Sequence, residues 1–109
     1  MNSREKGKRG ELELAKTLRG YGYDARRTVQ YSGKDGDGDL CGLPGIHIEC
    51  KRNEHLNITD ALTQSTADAM NANRGEIPVV MHRKNNERWK VTMDLKDFMR
   101  LYGRWVDEQ

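Results

Sequence analysis

The feature that most constrains this chain is a short turn signal, Leu43-Pro44-Gly45, set between two runs with charged residues at their outer ends. The runs Asp39-Leu40-Cys41-Gly42 and Ile46-His47-Ile48-Glu49-Cys50-Lys51 read as the two short strands of a hairpin. With a three-residue loop, Gly42 faces Ile46, Cys41 faces His47 and Asp39 faces Glu49. Side chains alternate along a strand, so Asp39, Glu49 and Lys51 share one face of the sheet. Directly opposed residues have Cβ atoms about 4.5–5.5 Å apart, and like charges there are destabilising. A fold accepts two facing carboxylates more readily when a divalent cation sits between them. Lys51 adds a point charge suited to a phosphate or a developing anion. The pattern suggests a metal-dependent enzyme acting on phosphodiesters.

Residues 3–21 read as a helix, with Ser3 as a plausible N-cap. Leu14, Ala15 and Leu18 form an apolar stripe, and Glu11 falls on the same stripe. A carboxylate facing a core costs several kcal/mol unless it is paired. Glu11 therefore either reaches solvent at the end of the stripe or, as we read it, leans toward the acidic pair. Gly7 and Gly10 weaken a helix by up to ~1 kcal/mol each. They make sense where the backbone approaches another chain or DNA. Tyr21-Gly22-Tyr23 ends the helix, residues 25–31 read as a strand and residues 32–38 as a loop. A second helix is expected over 58–73, capped by Asn57 or Thr59 and stopped by Gly75. It forms a crossover to a strand at 77–82 parallel to the Glu49 strand. A last strand, 88–93, and a helix, 94–103 with Asp94 as cap, follow. Trp89, Val91, Met93, Phe98, Leu101, Tyr102 and Trp105 are expected in a C-terminal core, with the tryptophans also able to serve a dimer interface.

At 109 residues the chain is expected to be a single domain over 1–109. Apolar residues make up 35% and the mean hydropathy is −0.96, so the core is thin and burial in a dimer would help it. No apolar run approaches the roughly 18 residues of a membrane span. The start, Met1-Asn2-Ser3-Arg4-Glu5-Lys6, lacks a secretion signal's apolar stretch. An intracellular protein is expected. Residues 1–34 hold nine Lys/Arg and four Asp/Glu (+5), and residues 35–109 hold ten and thirteen (−3). A basic flank beside an acidic site suits a polyanion. Cys41 and Cys50 fall on opposite faces of the hairpin, which argues against a disulfide. His47, His55 and His82 show no ligand spacing. Asp35-Gly36-Asp37-Gly38-Asp39 resembles the opening of a calcium loop, but Leu40 and Ile46 occupy the positions that require Gly and Glu.

The ordered set Glu11, Asp39 and Glu49-Cys50-Lys51 resembles the PD-(D/E)XK nuclease superfamily, with Gly38 in place of the motif's proline. More narrowly, the chain is similar to the archaeal-type and phage Holliday junction resolvases. The matching stretches are Gly7-Lys8-Arg9-Gly10-Glu11, Gly22-Tyr23-Asp24-Ala25-Arg26-Arg27, Tyr31-Ser32-Gly33, Gly38-Asp39-Leu40 and Ile48-Glu49-Cys50-Lys51. The resemblance implies an α/β restriction-endonuclease-like fold. That is a mixed central sheet flanked by helices, an α-β-β-β-α-β core with a C-terminal strand and helix. It also implies a metal shell of Asp39, Glu49, the Cys50 carbonyl and Glu11, roles for Ser32 and Gln64 beside Lys51, and a homodimer. Mg²⁺, with Mn²⁺ as substitute, fits an all-oxygen shell, and no small-molecule cofactor is expected.

Lys8, Arg9, Arg26, Arg27, Lys34 and Arg52 are candidate phosphate contacts, which position DNA without reading its sequence. No base-reading module is present in the sequence. The expectation is a structure-selective DNA endonuclease, a Holliday junction resolvase foremost. The alternatives are a related phage nuclease cutting flaps, nicks or duplex, and a silent DNA-binding module of the same fold.

Overall fold

The computed structural model describes residues 3–28 and 38–109. Its elements are α1 (Ser3–Gly20), β1 (Arg26–Arg27), β2 (Leu40–Cys41), β3 (Ile46–Arg52), α2 (Ile58–Ala72), β4 (Ile77–Arg83), β5 (Lys90–Thr92) and α3 (Leu95–Asp107). This is the expected element order. The strands form one five-stranded sheet in the order β1-β2-β3-β4-β5. Only the β3–β4 pair is parallel, so the sheet is mixed, and helices flank it.

Leu40 lies opposite Ile48, the register that sets Asp39 across from Glu49. The Asp39 N–H donates to the Ile48 carbonyl at 2.8 Å, and the Ile46 N–H closes the turn on the Leu43 carbonyl at 3.1 Å. Gly42 sits at φ +112°, and a Cβ there would run into the Asp24 carbonyl and the Ala25 Cα. Glycine thus supplies both the left-handed turn and the close approach of the segment entering β1. Cys41 and Cys50 are both free thiols.

The parallel pair is joined through α2. The Asn57 side chain accepts the Asp60 N–H at 3.1 Å and caps the helix. The helix stops at Asn73, not Gly75. Asn73 adopts φ 54°, and its N–H returns to the carbonyls of Ala69 and Met70. Asparagine tolerates this left-handed cap better than other side chains, so the stop comes two residues early.

The two faces of the sheet differ. On one, Leu14 and Ala15 of α1 pack with Leu40, Ile48, Cys50, Ile77, Val79 and Met81. On the other, β3 presents the alternate residues His47, Glu49 and Lys51. There α2 buries Ala61, Ser65 and Ala69, and the Ser65 hydroxyl donates to the Val79 carbonyl at 2.9 Å. Gly10 is required within the fold itself: a Cβ there would lie 2.6 Å from the Cβ of Arg52 on β3. Gly7 has open space around it.

The C-terminal expectation needs correction. Trp89 and Met93 pack against the core, but Val91, Phe98, Leu101, Tyr102 and Trp105 are 40–57% exposed. Helix α3 runs past residue 103 to Asp107, and its aromatic rings pack on one another, with Phe98–Tyr102 centroids 6.3 Å apart and Tyr102–Trp105 5.8 Å. A helical period reveals an apolar stripe but not what the stripe meets. Strand β1 is also shorter than 25–31, and residues 29–31 of that expectation lie outside the described residues. Strand β5 covers Lys90–Thr92 of the expected 88–93.

Candidate active site

Three elements converge on one cavity of about 470 Å³, lined among others by Lys6, Glu11, Asp39, Glu49, Cys50 and Lys51. Strand β3 supplies Glu49 and Lys51 with the two-residue spacing that keeps them on one face. Asp39 reaches the same place from the opposed strand, just before β2. Its Oδ2 accepts the Cys50 N–H at 2.8 Å, which aims the carboxylate at the β3 backbone. The Lys51 Nζ stands 3.8 Å from Glu49 Oε1.

Glu11 arrives from α1. Its Oε1 accepts the Arg27 Nε–H at 2.8 Å, and both side chains are partly buried. Arg27 therefore orients a carboxylate inside the cavity. Leu14 and Ala15, one turn on, are each 1% exposed, so the apolar stripe sets the rotation of α1 and carries Glu11 to the cavity.

The carboxylates strain against one another. Burial, then repulsion from Asp39, pushes Glu49 up to about 7, with Asp68 and Glu11 adding to the repulsion and Lys51 opposing it. Burial likewise raises Asp39, against the Cys50 N–H, Lys51 and His47, which favour its charge. Burial raises Glu11 too, against the pull of Arg27. The Cys50 thiol is pushed upward by burial and the surrounding acids, which suits an inert side chain. Arg27 pairs with Glu11, and Lys51 stands 3.8 Å from one Glu49 oxygen, yet all three carboxyls remain raised. Partly dehydrated carboxylates lining one cavity suit a hard divalent cation, and Asp39, Glu49 and Glu11 are among the residues that line it.

The remaining expected residues are scattered more widely. Gln64 lies on α2, exposed, lining with Lys51 and Asn53 a shallow hollow of about 190 Å³. Lys8 and Arg9 are exposed on α1. Arg26 is exposed and paired with Asp24 at 2.9 Å. Arg52 is held by Glu13 at 3.6 Å and donates to Asn85 Oδ1 at 2.8 Å. Ser32 and Lys34, with Asp35 and Asp37, lie outside the described residues. Sequence reasoning missed Lys6, one turn before Gly10 on α1. It also missed His47 and Asp68, whose ligand atoms cluster with Glu49. The signal for His47 was its place in the same period of two as Glu49 and Lys51. A larger hollow of about 520 Å³ beside α2 is lined by Leu62, Met70 and several threonines, with Asp94 its one charged group, and lacks such convergence.

A mixed sheet of this order with an acid, acid and lysine set at the β2–β3 hairpin is the restriction-endonuclease-like architecture of PD-(D/E)XK nucleases. The family model described as "Phage putative PDDEXK endonuclease" matches residues 2–108, and the chain belongs to that family. Among solved structures, it is similar to Hjc, a Holliday junction resolvase from the archaeal hyperthermophile Archaeoglobus fulgidus. That match has a TM-score of 0.61 and 21% identity, covering 80% of this chain and 76% of the other. At that identity the likeness shows the fold. No curated protein matches the chain. Among the described residues, no helix is long and apolar enough to cross a membrane.

Proposed function

We propose that this chain is a Mg²⁺-dependent, structure-selective DNA endonuclease that hydrolyses phosphodiesters at branched DNA, four-way junctions foremost. The observation that carries the reading is the convergence of Glu11, Asp39, Glu49 and Lys51 on one cavity. Membership of an endonuclease family supports the reaction type. The name of the Archaeoglobus fulgidus neighbour, a Holliday junction resolvase, supports the substrate.

In this reading Asp39, Glu49 and Glu11 would hold the cation, directly or through water, and the Cys50 carbonyl would be a further ligand. When bound, the cation polarises the scissile phosphate and lowers the pKa of a water molecule. Lys51 orients that water and neutralises charge developing on the phosphate. Arg27 fixes the Glu11 carboxylate through its 2.8 Å hydrogen bond. Gln64, in the hollow it shares with Lys51, supports the lysine from α2. Ser32 and Lys34 act from the 29–37 segment. Lys8, Arg9, Arg26 and Arg52 contact phosphates and set the orientation of DNA without reading bases.

The reading treats residues 1–109 as one nuclease domain working as a homodimer. Symmetric cutting of a junction needs two sites, and a twofold dimer supplies them. The exposed apolar stripe of α3, with Phe98, Tyr102 and Trp105, supports self-association. A panel of end-labelled four-way junction, flap, nicked and linear duplex DNA in Mg²⁺ tests the substrate. Paired nicks confined to the junction are expected. Equal cutting of linear duplex would discard the junction preference and keep the nuclease. Tight binding with no cleavage in Mg²⁺ or Mn²⁺ would favour a silent binding module.

A further inference from the structure

The α2-facing side of the sheet holds a second group of ligand atoms, adjoining the Asp39–Glu49 pair without including Asp39. His47 on β3 and Asp68 on α2 each bring one ligand atom that lies, with a Glu49 carboxylate oxygen, inside a 4.8 Å cluster. The His47 side chain is 0% exposed, and neither ring nitrogen has a hydrogen-bond partner among the described residues. Its Nδ1 stands 3.8 Å from Glu76 Oε1, beyond hydrogen-bond reach. Buried polar groups are almost always satisfied, and an imidazole with both nitrogens unmatched beside two carboxylates is a donor set suited to a cation. A hollow of about 320 Å³, lined in part by Gly38, Arg74 and Glu76, also has His47 in its lining.

We propose that His47, Glu49 and Asp68 form a second divalent-cation site that shares Glu49 with the Asp39 site and selects first-row transition cations over Mg²⁺. The selectivity follows from the donors. Imidazole nitrogen is a good ligand for Co²⁺, Zn²⁺ and similar ions, whereas Mg²⁺ demands oxygen and sheds water reluctantly. The Asp39 site, built of oxygens alone, has no nitrogen donor to discriminate against Mg²⁺ and accepts both kinds of ion. The proposal deepens the reading of Glu49 given above, but the site can fill whether or not the chain cuts DNA. With a shared carboxylate, a transition cation in the second site would draw on Glu49 and so tune how it serves the first.

The test is titration of Co²⁺ into the tag-free chain after EDTA treatment, followed by visible absorption and by metal stoichiometry. Wild type, His47→Gln, Asp68→Asn and Asp39→Asn are compared. The wild type is expected to bind two Co²⁺ ions per chain. His47→Gln and Asp68→Asn each lose one of them, with at least about a tenfold drop in affinity. Asp39→Asn keeps the ion whose spectrum reports nitrogen ligation, and excess Mg²⁺ displaces only the other. A Co²⁺ stoichiometry and spectrum that a folded His47→Gln leaves unchanged would overturn the second site. If His47→Gln fails to fold, Asp68→Asn decides, since Asp68 lies partly exposed on α2. Junction cleavage in Mg²⁺ with Co²⁺ binding indifferent to His47→Gln would sink the second site and spare the nuclease reading. His47-dependent Co²⁺ binding without cleavage would do the reverse.

Discussion

Residues one step apart on β3 serve opposite ends. Ile48 and Cys50 face α1 in an apolar layer with Leu14, Val79 and Met81, while His47, Glu49 and Lys51 face the other way and carry ionisable groups. The first face is stable because water is excluded from matched apolar surfaces. The second excludes water from charges that repel, and Glu49 is 6% exposed. One strand thus holds the layer that makes the fold and the groups that burden it, separated only by the alternation of the backbone. Activity and stability should therefore be severable residue by residue.

The largest effect is expected on the apolar face. Ile48→Ala, at a side chain 0% exposed, should lower unfolding free energy by about 2–5 kcal/mol in urea titrations. Any lost cleavage should then track the unfolded fraction. On the opposite face, Lys51→Ala should leave the urea midpoint nearly unchanged. Cleavage should fall about 10²–10³-fold, as when one donor to a developing anion is removed. Equal damage to stability and activity at both positions would erase the distinction.

A pH titration sharpens it. Glu49 sits at about 7 in the fold against an ordinary 4.5, so between those values the folded chain binds more protons than the unfolded one. The Glu49 contribution to the stability of the metal-free chain is therefore full below about pH 4.5 and is lost as pH rises through 7, roughly 3 kcal/mol in all. Saturating Mg²⁺ should flatten the fall, and thermal melts across that range with and without Mg²⁺ measure it. The smallest effect belongs to the helix covering the polar face. Asn57→Ala, which removes the 3.1 Å cap on Asp60, should cost about 1 kcal/mol and leave cleavage almost intact.

Much of this division was legible in the sequence because it follows from local rules. Leu43-Pro44-Gly45 set the hairpin length, and a period of two then placed Asp39 across from Glu49, as the Leu40–Ile48 pairing requires. The stripe of Leu14, Ala15 and Leu18 placed Glu11 toward the cavity. What escaped depends on long-range packing. Asp68 meets His47 only because the α2 crossover folds back over β3, and no spacing between residues 47 and 68 announces that. The exposed face of α3 was misread as core because a stripe carries no record of its partner. Asn73 displaced Gly75 as the helix stop because both residue types can take the left-handed cap.

The most direct measurement is made on Glu49→Gln, pairing a junction-cleavage assay in Mg²⁺ with a thermal melt of the metal-free chain near pH 8. If the polar face is a hydrolytic site maintained against its own repulsion, cleavage falls at least about 10²-fold while the melting temperature rises. Undiminished cleavage by the folded variant would contradict the assignment of the site, and a lower melting temperature would contradict the electrostatic burden ascribed to it.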